Sequence, residues 1–126
     1  MKRIAFGFVC LFMLSAQTWI GSGPPPIGRE CAITVRFGSA CCGRDGKTEK
    51  AINTFIANEP KILGKTAIPW GREGEIDLCL KIKSNSDTQE IFDHIKSLIP
   101  PVSKYPTQIF SNGGAHFSSQ WPKDDK

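Results

Sequence analysis

The residues of this chain with the most chemistry within reach are its cysteines, five in all. Cys10 lies inside an apolar run near the N-terminus; the others are Cys31, Cys41, Cys42 and Cys79. Two kinds of chemistry follow. In an oxidising compartment an even set of four forms structural disulfides, with three complete pairings open. Alternatively, the adjacent pair Cys41-Cys42 precedes a predicted helix and neighbours Arg44 and Lys47, a setting that activates thiols for thiol–disulfide exchange. The pair lacks the two-residue gap of Cys-X-X-Cys redox sites, so structural bridging is the expected use. His94 and His116 lie far apart, with no ligand spacing to the cysteines, so neither a metal nor a cofactor is expected.

Other groupings are weaker. Residues 43–48 (GRDGKT) end like a phosphate-binding loop, but the motif needs glycine where Cys41 stands. A helix-capping turn at Asp45 is the expected role. Glu73, Glu75 and Asp77 cluster near a predicted hairpin and are expected to be solvated. His116 is expected in a surface tail and His94 at the exposed edge of a helix. Trp70 and Arg72 are the candidates for a binding surface, because tryptophan and arginine dominate contact hot spots.

The N-terminus decides which cysteine chemistry applies. Lys2-Arg3 followed by the apolar residues 4–14 and the small pair Ser15-Ala16 has the layout of a secretory signal peptide. The run is too short to span a bilayer, so cleavage after Ala16 is expected, with an uncleaved membrane anchor as the alternative. Cys10 is then apolar filler. The net charge of +4 includes Lys2 and Arg3, leaving about +2 on the rest, with signs interspersed. Nucleic acid is therefore not an expected partner.

The remaining elements follow from periodicity. Residues 17–30 form a Gly/Pro-rich linker whose prolines favour extended geometry and lack donors for a sheet. A domain is expected over 31–112, with 113–126 as a C-terminal tail. Alternating Ile33/Val35/Phe37 predicts a strand over 31–37, and Ala51/Ile52/Phe55/Ile56 predict a helix from Asp45 to about Asn58, before Pro60. Residues 62–69 and 75–83 read as a hairpin around Gly71 and Gly74. Ser86 with Gln89 reads as a capping box opening a second helix, which Pro100-Pro101 ends. Residues 105–110 are a weaker last strand.

This β-α-β-β-α-(β) order predicts an α+β domain of ferredoxin-like split βαβ arrangement, with two helices on one face of an antiparallel sheet and the other face open. A strand over 31–37 sets Cys31 roughly 20 Å from the end where Cys41 and Cys42 begin, and with the first and third strands taken as parallel neighbours Cys79 falls nearer that Cys41-Cys42 end. A Cys79 bridge to Cys41 or Cys42 is then preferred. The expected function is that of a small exported, periplasmic or secreted, disulfide-stabilised binding domain without catalysis. Its expected partner is an envelope or extracellular protein or glycan; the alternative is a redox protein using Cys41/Cys42.

Overall fold

Alternation along residues 33–37 and 75–82 sends every second side chain to one side of a sheet, and those side chains are apolar. The computed structural model describes residues 23–28 and 30–124. The leader, its cleavage site and Cys10 lie outside the described residues. The elements are β1 (Ile33–Phe37), α1 (Gly46–Asn58), β2 (Ile62–Trp70), β3 (Glu75–Ile82), α2 (Asn85–Leu98), β4 (Thr107–Ser111) and β5 (His116–Ser118). They make an α+β domain in which one five-stranded sheet has the order β2-β3-β1-β4-β5. Every neighbouring pair is antiparallel.

Both helix ends are set locally. The Asp45 carboxylate accepts from the Thr48 backbone N–H at 3.1 Å and from its hydroxyl at 2.6 Å, satisfying an otherwise orphaned donor at the start of α1. The chain leaves the helix at Glu59, whose extended backbone suits the residue before Pro60. The second helix opens earlier than the Ser86/Gln89 box suggested, with Ser84 as its N-cap residue. Ser84 Oγ turns to the Asp87 carboxylate at 2.6 Å instead of capping a backbone N–H. That hydrogen bond, followed by the charge of Lys61, holds the half-buried Asp87 carboxyl below its ordinary value.

The core lies between the sheet and the helices. Ile33, Val35 and Phe37 of β1 pack with Leu78 and Leu80 of β3, Ile109 of β4, Ile52 and Ile56 of α1, and Ile91, Phe92, Ile95 and Ile99 from α2 and its end. Each such side chain fully buried contributes on the order of 1.5–3 kcal/mol. Ala51, expected in the α1 stripe, is exposed. The two helices also meet at their outer seam, where Phe55 stacks on His94 with ring centroids 3.9 Å apart.

Three expectations are corrected here. Strands β1 and β3 are antiparallel, with Thr34 opposite Cys79. The hairpin reverses β3 relative to β2, so the start of β1 lies beside the end of β3. Cys31 therefore bonds Cys79 (Cα–Cα 5.2 Å), and Cys41 bonds Cys42. Second, residues 113–126, expected as a tail, contain β5. Gly114 has a φ of 94° in the tight turn that returns the chain along β4. Third, the sheet face away from the helices is not bare, because the segment 23–28 crosses it.

Candidate functional site

The helix-free face is built from the other half of the strand alternation: Thr34 and Arg36 of β1, Asp77 and Cys79 of β3, Trp70 of β2 and Phe110 of β4. Its centre is a buried carboxylate. Asp77 is only 3% exposed, and Arg36 meets it side-on, with Nε donating to Oδ1 at 3.0 Å and Nη2 to Oδ2 at 2.8 Å. The indole Nε1 of Trp70 donates to the same Oδ1 at 2.9 Å. The bidentate geometry and third donor are what make burial of such a charge tolerable.

Aromatic groups flank the pair. The Arg36 guanidinium carbon lies 5.7 Å from the ring centroids of both Trp70 and Phe110, a cation–π distance. Phe110 stacks in turn on His116, centroids 4.6 Å apart. The row Trp70, Arg36, Phe110, His116 thus crosses the sheet from β2 to β5.

Above this row lies the segment 23–28. Arg36 Nη2 donates to the carbonyl of Pro25. Between the segment and the sheet is a cavity of about 350 Å³, walled by Pro25, Pro26, Thr66, Ile68, Lys81 and the Cys31–Cys79 bridge. A wider depression of about 510 Å³ lies on the outward side of α1, lined by Glu49, Lys50 and Asn53. It brings no set of groups to a common point.

The residues singled out from sequence fall into two places. Cys31 and Cys79 form the bridge on the helix-free face. Cys41 and Cys42 are exposed in the turn before α1. Trp70 and Arg72 lie at the β2–β3 hairpin, Trp70 half-buried against Asp77 and Arg72 exposed. Arg44 joins the cysteine turn to the hairpin by donating to Glu49 and to the Gly74 carbonyl. Its pKa is raised, chiefly by the Glu49 hydrogen bond. Arg44 is thereby committed to a carboxylate and a carbonyl.

Sequence reasoning missed Arg36, Phe110 and the contact of Pro25, and it expected Asp77 and Glu75 in solvent, where both are in fact buried. The available signal was the strand alternation itself: Arg36 and Asp77 occupy polar positions of two central strands. Antiparallel pairing sets them directly opposite each other. Among the described residues no group of three or more histidine, cysteine or acidic side chains could hold a metal ion. None of the described helices is long and apolar enough to cross a membrane. No family model, curated protein or solved structure matches the chain.

Proposed function

We propose that this protein is a small exported, disulfide-stabilised interaction domain that acts by binding rather than catalysis. Its contact surface is the helix-free face together with the hairpin carrying Trp70 and Arg72. The observation that carries this reading is the commitment of the face's central charges. Both oxygens of Asp77 accept from Arg36, and Trp70 adds a third donor. What the face presents outward is the partly exposed Trp70 and Phe110 with exposed Ile68, bordered by the exposed polar Thr66, Lys81 and Arg72. Such a composition suits recognition.

The strand order β2-β3-β1-β4, with α1 and α2 as the two crossovers, supports a ferredoxin-like split βαβ arrangement extended by β5. The basic and apolar N-terminus, together with the bonded cysteines, supports export to a periplasm or extracellular space. An envelope or extracellular protein or glycan is the partner class proposed.

The test is photo-crosslinking in the native envelope or medium from a probe at position 72, with position 57 on the outer side of α1 as the control. A discrete adduct from position 72 and none from 57 supports the reading. Equal labelling from both positions, or none from 72, overturns it. A second reading is thiol–disulfide exchange at Cys41–Cys42, favoured by the exposure of that bond, since attacking thiolates need access to sulfur. Resistance of the bond to millimolar glutathione would sink it.

A further inference from the structure

The segment 23–28 indicates what the helix-free face accepts. We propose that the groove beside Arg36 and Trp70 docks an extended, proline-containing segment of a partner protein, and that the chain's own Pro24-Pro25-Pro26 occupies it in cis. This rests on the interaction-surface reading above and names the partner's chemistry.

Consecutive prolines hold an extended, preformed helix and offer carbonyl oxygens without N–H groups. A surface that recognises them needs an oriented donor between aromatic rings. Arg36 is that donor: Asp77 fixes two of its nitrogens, Trp70 and Phe110 flank it, and Nη2 donates to the Pro25 carbonyl. Little side-chain order remains to be lost on binding, which favours affinity.

The cis contact is also partial. Of the described residues in the segment only Pro25 is half-buried; Gly23, Pro24, Pro26, Ile27 and Gly28 are exposed. Among the described residues, the Arg36–Pro25 contact is the hydrogen bond that joins the segment to the sheet. The cavity of about 350 Å³ beside it extends past the Pro25 contact to Thr66 and Ile68. Ile68 is 40% exposed and Ile27 38%. A partner segment that used this space would make contacts the cis segment does not. The cis segment competes through its tether, because the Cys31–Cys79 bridge anchors the chain five residues after Pro26 and keeps its local concentration high.

The experiment is a nuclear magnetic resonance titration of the oxidised full chain with a synthetic peptide of residues 21–28 (GSGPPPIG). The control peptide has alanine at all three proline positions. In the wild-type chain the cis segment opposes binding. In the triple variant Pro24→Ala, Pro25→Ala, Pro26→Ala the proline peptide is expected to bind at least about tenfold more tightly. The Trp70 indole N–H and the amides of Thr66 and Ile68 should shift, and the alanine peptide should leave them unmoved. Adding Ile68→Arg, at an exposed wall residue, should abolish binding.

Absence of binding to a triple variant that keeps the folded spectrum would overturn the docking proposal. Equal affinity for wild type and triple variant would overturn the cis occupancy. A crosslinked partner at position 72 without proline-peptide binding would sink this inference and leave the interaction-surface reading standing. Failure of both experiments removes both. Binding of a glycan, but no peptide, at the same amides also counts against the inference.

Discussion

Asp77 carries a full charge in a place that water barely reaches, and its neighbours decide whether the fold tolerates it. Two hydrogen bonds from Arg36 and one from Trp70 replace the lost hydration. Removing one member should therefore cost more than the pair contributes. Asp77→Asn is expected to destabilise by about 3 kcal/mol, because Arg36 keeps its charge and loses its counterion. Combining Arg36→Met with Asp77→Leu should recover most of that loss, short of about 1 kcal/mol for the indole N–H left without an acceptor. Urea unfolding of the wild type and these two variants checks the prediction; a double variant no more stable than Asp77→Asn would argue against it. None of this was legible from the carboxylate's position beside a hairpin. Glu73, Glu75 and Asp77 look alike in sequence, and burial separates them only once the strand order is known.

Most of the elements, by contrast, could be read directly. The alternation Ile76/Leu78/Leu80/Ile82 matches β3, and the helical spacing of Ile52, Phe55 and Ile56 matches α1. Gly71 and Gly74 take positive φ in the hairpin turn, and a side chain at Gly71 would run into the Glu75 carboxylate. Caps were harder. Asp45 caps the start of α1 as its residue type suggests, whereas at α2 both Ser84 and Ser86 are of cap type, the Ser86/Gln89 spacing pointed to the second, and the helix opens at Ser84. Replacing Asp45 with alanine is expected to cost about 1 kcal/mol, within the usual 0.5–2 range for a lost cap. A matching drop in the denaturation midpoint at unchanged slope would establish it. The last strand, β5, left almost no trace in sequence: three residues with one large apolar side chain carry too little periodicity.

At the scale of the molecule, direction of pairing was the decisive unknown. Reversing β3 relative to β1 moves Cys79 from the Cys41-Cys42 end of β1 to the side of Cys31, which changes the disulfide map without altering any element. The resulting bridge spans 48 residues and encloses β1, α1, β2 and half of β3. In the chain-entropy model its closure is worth about 4 kcal/mol. Cys31→Ser with Cys79→Ser should lower stability by about that amount. Cys41→Ser with Cys42→Ser, in an exposed turn, should change it by no more than about 0.5 kcal/mol. Denaturation of the two double variants side by side distinguishes the bridges, and equal losses would contradict this assignment.

The outer strand β2 bears on how these molecules tolerate crowding. Nine residues of unpaired edge are a template for another chain's strand, and Leu63, 66% exposed, makes it a sticky one. The strand interrupts itself: register slips between Ile62 and Gly64, Lys65 puts a charge on the edge, and Pro69 has no N–H to give. A second copy arriving edge-on finds a broken ladder. Edge-to-edge stacking through β2 is thereby discouraged along the longer of the sheet's two edges.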